Sequence, residues 1–106
     1  MKKSDSDMGH ILENIVYLEL LRRGYKVYVE KVDDLKVDFV AENKDGLKYY
    51  QVALIVSDEK VLERELKSLQ KTWDHYPKKL LTLDMDLESG YDGIAKINVI
   101  DWLLKD

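Results

Sequence analysis

Apolar positions along the chain change their period several times, and each change marks an element. From Gly9 to Arg23 they recur at helical spacing with no proline, and Gly24 supplies a stop, so a first helix is expected there. Tyr25-Lys26-Val27-Tyr28-Val29-Glu30 alternates and reads as a strand. Two more strand-like runs follow, 35–41 and 49–55, joined by a Lys44-Asp45-Gly46 turn. A second helix is expected from about Asp58 to Tyr76, with Ser57 to cap it, Asp58 and Glu59 at its positive end, and Pro77 to stop it. Leu80-Leu81-Thr82-Leu83 reads as a buried strand and the acidic run 84–93 as a loop. Ile94 to Val99 reads as a last strand leading into Asp101-Trp102-Leu103-Leu104. The expected order is α-β-β-β-α-β-β-α, an α/β fold.

The faces of the two helices differ in character. On the second, Leu62, Leu66, Leu69, Trp73 and Tyr76 form one core-facing stripe, while Lys60, Arg64, Lys67, Lys71 and His75 run down the other side. That basic row is either a solvated face or a set of phosphate contacts, with Arg64, Lys67 and Lys71 the nucleic-acid candidates. On the first helix, Leu12, Val16, Leu20, Tyr17 and Leu21 share a broad arc, with Glu13 inside it. A carboxylate there needs a cation, a metal, a hydrogen-bond donor or a path to water. Ile11, Ile15 and Leu18 form a second apolar strip, which suits either a contact to the C-terminal segment or an interface with a second copy or another partner.

Composition narrows the chemistry. A chain of 106 residues supports one core. The absence of cysteine excludes disulfides, thiolate zinc sites and cysteine nucleophiles, and two histidines are too few for a zinc cluster. No apolar run approaches the ~20 residues that span a bilayer, and the basic pair Lys2-Lys3 lacks the apolar stretch of a secretory signal. A cytoplasmic protein without membrane contact is therefore expected. The net charge of -4 argues against tight non-specific binding to nucleic acid, although local patches remain available.

Within the expected hairpin, strand alternation places Lys36, Asp38 and Val40 on one face and Tyr49, Gln51 and Ala53 on one face of the partner. In register, Asp38 and Gln51 converge at the open end.

Taken in order, the segments 9–16, 19–25, Val37-Asp38-Phe39-Val40, Tyr50-Gln51-Val52-Ala53, Arg64-Glu65, Tyr76-Pro77-Lys78 and Gly93-Ile94 resemble the C-terminal domain of many prokaryotic AAA-type ATPases of unassigned role. That domain is similar to the PD-(D/E)XK nuclease superfamily, with its restriction-endonuclease-like α-β-β-β-α-β core. The resemblance implies a mixed central sheet flanked by helices, with 9–106 a single nuclease-like domain and 1–8 a flexible N-terminal extension. No phosphate loop is present, so the resemblance is to a detached module.

Carried over position by position, the resemblance makes Glu13 the acid of the first helix, Asp38 the metal-binding aspartate, Gln51 the acidic member of the E-x-K pair and Ala53 its lysine. Glu13, Asp38 and Gln51 are then the candidate ligands of Mg²⁺ or Mn²⁺, which in phosphodiester cleavage stabilises charge and generates the nucleophile. Ala53 departs from the pattern, since alanine neither holds nor deprotonates water, and losing an acid-base group costs ~10²–10⁴-fold in rate. Lys36, two residues before Asp38, is the candidate replacement. Two readings follow, beside a third, a small self-associating scaffold, that the Ile11, Ile15 and Leu18 strip suggests. One is a degenerate, non-cleaving recognition or regulatory module that binds DNA, an AAA-type ATPase or another protein. The other is a metal-dependent DNA endonuclease with a glutamine-type site.

Overall fold

The computed structural model describes residues 4–32, 35–54, 59–70, 76–85, 89–91 and 93–105. Its elements are α1 (Ser4–Arg22), β1 (Lys26–Val32), β2 (Leu35–Asn43), β3 (Gly46–Val52), α2 (Glu59–Gln70), β4 (Lys78–Thr82), β5 (Ser89–Tyr91), β6 (Ile94–Asn98) and α3 (Val99–Leu104). The strands form one mixed sheet in the order β1-β2-β3-β4-β6-β5. β1, β2 and β3 are an antiparallel meander, β3, β4 and β6 run parallel, and β5 returns antiparallel on β6. The α/β class is the one expected, with helices on both faces.

Two boundaries correct the sequence reading. The first helix begins at Ser4, five residues before the expected Gly9. Ser4, Asp5 and Asp7 are residue types that suit the positive end of a helix dipole, a signal independent of apolar spacing. The acidic run expected to be loop contains β5, whose three residues pair with Ile94, Ala95 and Lys96. The described part of the second helix ends at Gln70. Ser57 and Asp58 at its start, and Lys71, Trp73 and His75 at its end, lie outside the described residues.

Helix α1 closes as expected. Gly24 adopts φ +93°, its N–H donates to the Leu21 carbonyl, and the Tyr25 N–H donates to the Leu20 carbonyl. This pair of bonds satisfies the last helical carbonyls and turns the chain into β1.

The sheet separates two cores. Alternation along β2 and β3 sends Phe39, Ala41, Tyr50 and Val52 to one side, where Leu12, Val16 and Leu20 of α1 and Trp102 of α3 cover them. Val40 and Tyr49 point the other way with Leu80 and Ile94, beneath Leu66 and Leu69 of α2. The α1 and α2 sides are thus opposite faces of one sheet.

Candidate functional site

The expected metal-site residues do not converge among the described side chains. Gln51 is buried on the α2 side, where its Nε2 donates to Glu65 Oε1 at 2.8 Å. Ala53 shares that face and packs at the edge of the α2 core. Glu13 rides on α1, on the far side of the sheet, and is half-buried beside Leu12 and Val16. The sheet therefore stands between Glu13 and Gln51. Asp38 and Lys36 belong to β2, but their side chains lie outside the described residues. The β2–β3 ladder ends at Phe39↔Tyr50, one position short of Asp38 and Gln51.

The β1–β2 ladder has an irregularity at the same place. Tyr28 faces Val40 and Glu30 faces Val37, so a two-residue step on β1 meets a three-residue step on β2. The extra residue is a bulge at Asp38–Phe39, a device that redirects one strand locally. Among the described residues, no group of three carboxylate or imidazole side chains is placed to share a cation.

The α2 side carries a polar row that the sequence reading did not find. Gln51, Leu80 and Lys96 lie side by side across β3, β4 and β6. Lys96 Nζ sits 3.2 Å from Asp84 Oδ2, both side chains being 6% exposed. Asn98, two residues on, donates from Nδ2 to the Asp84 carbonyl at 2.8 Å. Its Oδ1 accepts from the Ile100 and Asp101 N–H groups, capping α3. The signal was present: Ile94, Lys96 and Asn98 alternate on one face of β6, and a lysine between such neighbours is a buried-lysine pattern.

On the outer surface of α2, Lys60, Arg64 and Lys67 are exposed and line a shallow depression with Glu63. Arg64 also reaches Glu65 at 3.5 Å. Two of the three nucleic-acid candidates are thus solvent-facing neighbours, and Lys71 lies outside the described residues. On α1, Ile11, Ile15 and Leu18 are 53%, 41% and 61% exposed, so no described part of the C-terminal segment covers that strip.

A strongly basic concavity lies on the α1 side, where sequence reasoning placed nothing. It has a volume of about 470 Å³. Arg22 and Arg23 enter from the end of α1, Lys48 from β3, Lys79 from β4 and Lys105 from beyond α3. Tyr25, Tyr50 and Trp102 form the rest of its wall. Arg23 is fixed from several directions. Its Nε donates to Glu19 at 2.6 Å, its Nη2 donates to the Trp102 and Lys105 carbonyls at 2.8 and 2.7 Å, and its guanidinium lies 4.5 Å from the centre of the Trp102 ring. Hydrogen bonds from Arg22 and then Arg23 hold the Glu19 carboxyl down at about 2, against an ordinary 4.5. Lys48 Nζ donates to the Tyr25 hydroxyl oxygen at 2.8 Å. Burial pushes the Tyr50 hydroxyl up to about 12. The Trp102 indole N–H is buried and makes no hydrogen bond of good geometry among the described residues. No single stretch of sequence shows this cluster, because several separate elements contribute to it.

No family model matches the chain, and no solved structure matches it. It is similar to an uncharacterised protein of Haemophilus influenzae, 40% identical over 103 residues. That match covers 97% of this chain but 25% of the relative, so the chain spans about a quarter of the curated relative's length. No helix among the described residues is long and apolar enough to cross a membrane.

Proposed function

We propose that the chain is a degenerate PD-(D/E)XK-type module that recognises a partner without cutting nucleic acid. One observation carries this reading. The position where the superfamily pattern wants a metal-binding acid holds Gln51, whose amide is buried and bonded to Glu65 of α2, on the face opposite Glu13. Ala53 in place of the lysine removes the group that would orient water. An antiparallel meander followed by parallel β4 is the strand order the resemblance calls for, and supports the ancestry without assigning an activity.

The partner in this reading is a protein, with DNA on the α2 residues Arg64 and Lys67, and on Lys71 beyond the described part of the helix, as the other option. The exposed Ile11, Ile15 and Leu18 strip is the surface for it, whether an AAA-type ATPase or a second copy of this chain. A match confined to a quarter of the Haemophilus relative supports a module that occurs within longer chains.

The test is titration of the protein with Mg²⁺ and Mn²⁺ by calorimetry, alongside incubation with single-stranded, duplex and branched DNA. No ion binding and no cleavage are expected. Cleavage that disappears in Asp38→Ala would overturn the reading in favour of an endonuclease using Glu13, Asp38, Gln51 and Lys36. Light scattering of wild type and Ile15→Glu tests the second copy: a monomer at high concentration in both leaves only a different protein for the strip.

A further inference from the structure

We infer that the basic depression between the end of α1, the start of β3 and β4, and α3 is a binding site for a phosphate-bearing ligand. This inference goes beyond the reading above and does not rest on it, because the depression lies on the α1 side of the sheet, away from Gln51.

The first ground is charge. Arg22, Arg23, Lys48, Lys79 and Lys105 line one concavity, and no carboxylate is among its described lining residues. The chain as a whole carries -4, so this positive charge is concentrated against the protein's general sign. A cleft lined by one sign of charge above a low-dielectric wall focuses potential and draws counter-ions. Glu19, behind the two arginines, pairs with both of them.

The second ground is the chemistry of the wall. Ammonium and guanidinium groups donate and never accept. The Tyr25 oxygen already accepts from Lys48, which leaves its O–H to donate outward. Tyr50 stays protonated at every physiological pH and so adds no negative charge. Beside it, the buried Trp102 N–H is directed at the Tyr50 hydroxyl oxygen without closing a hydrogen bond of good geometry among the described residues. A wall that offers donors on every side fits a ligand made of acceptors. Phosphate oxygens are acceptors, and a chain of phosphates carries several negative charges where a lone carboxylate carries one.

The third ground is preorganisation. Arg23 is held by Glu19, two backbone carbonyls and the Trp102 ring before any ligand arrives, and Lys48 is held over Tyr25 with its ammonium 5.4 Å from the ring centre. Binding therefore freezes little further motion in these two side chains. A volume of about 470 Å³ exceeds what a single phosphate fills and falls in the range of small-ligand pockets. The ligand class is accordingly a nucleotide or the phosphorylated end of a nucleic acid.

Calorimetric titration of the full chain with tripolyphosphate at low salt tests the site, with citrate as the carboxylate control. Tripolyphosphate is expected to bind, weaken as salt rises, and outbind citrate by about tenfold or more. Lys79→Gln and Lys105→Gln should each weaken it by about tenfold, the scale of one charged hydrogen bond, and Arg64→Gln on the far side should not. Lys105 lies at the exposed surface, so its variant reads the site even if Lys79→Gln fails to fold. Competition by ADP but not by a 5′-phosphorylated oligonucleotide assigns the site to small molecules. Competition by the oligonucleotide, but not by its 5′-hydroxyl form, assigns it to nucleic-acid ends. Either outcome upholds the inference. Absence of tripolyphosphate binding, equal affinity for citrate, or unchanged affinity in Lys105→Gln would overturn it.

Discussion

Replacing Asp84 by asparagine should destabilise the fold by about 3 kcal/mol and give stability a new dependence on alkaline pH. Asparagine keeps the shape and one acceptor oxygen of the side chain but removes the charge facing Lys96 Nζ at 3.2 Å, where both side chains are 6% exposed. Removing one member of a buried pair typically costs ~3–5 kcal/mol, because the other charge is left uncompensated. An upper bound comes from neutralising the lysine. Deprotonation at pH 7 from a reference value of ~10.4 costs about 4.6 kcal/mol at ~1.36 kcal/mol per pH unit. The remaining acceptor oxygen recovers ~1 kcal/mol of hydrogen bonding, which lowers the upper bound to about 3.6 kcal/mol and leaves about 3 as the expected cost. Against a total of ~5–15 kcal/mol this is a large share, and the melting temperature should fall by more than ~10 °C.

The sign of the pH effect is specific. Removing the Asp84 charge lowers the folded pKa of Lys96 relative to wild type, so the folded variant holds its proton less tightly and its stability rises with pH relative to wild type, up to ~10.4. The deficit of Asp84→Asn relative to wild type should therefore shrink from about pH 7 to about pH 10 in urea melts. The double replacement Asp84→Leu with Lys96→Met should regain most of the loss, since an apolar substitute for a buried pair is often neutral or better. A deficit below ~1 kcal/mol that is flat with pH would refute the idea that this pair is electrostatically isolated from water.

Asn98→Ala should cost ~1–2 kcal/mol in denaturant melts, because it removes the cap that accepts from Ile100 and Asp101, and loss of the α3 signal ahead of the global transition is the expected accompaniment. Gln51→Glu, which restores the superfamily's acid, should bring a second carboxylate against Glu65. One of the pair then has a raised pKa, so the ~1–3 kcal/mol penalty at neutral pH should fade as the pH is lowered through that value, and calorimetry should show no gain in Mg²⁺ binding. Glu19→Gln should cost about 1 kcal/mol at neutral pH. Because the folded carboxyl sits at about 2 rather than 4.5, the gap from wild type should close as the pH falls from 4.5 towards 2, and an undiminished gap at pH 2 would count against the arginine pairing.

What could be read from the sequence was whatever had a local period or a local stop. The stripe Leu12, Val16, Leu20 announces α1, Gly24 its end, and the alternation through Phe39 and Tyr50 gives both strands of the hairpin. The acids Asp5 and Asp7 carry no apolar signal, so the start of the helix was missed. β5 was missed because three residues in a polar run become a strand only by pairing with β6. Glu13 and Gln51 were expected in one pocket because their order fits a known pattern, but order along a chain does not say which face of a sheet a helix covers. That is decided by alternation in the strands beneath it: Phe39 and Tyr50 face α1, while Gln51 is one residue out of phase with Tyr50. The basic depression was invisible for a related reason, since Arg23, Lys48, Lys79 and Lys105 are brought together by topology alone.

The sheet also acts as a partition. With α1 and α3 sealing one chamber and α2 the other, Val16→Ala and Leu66→Ala would empty space in different cores, separated by a full layer of backbone. Their effects on stability should sum to within ~0.3–0.5 kcal/mol, as for remote independent sites. Each chamber can therefore drift, or be engineered, while its counterpart keeps its shape.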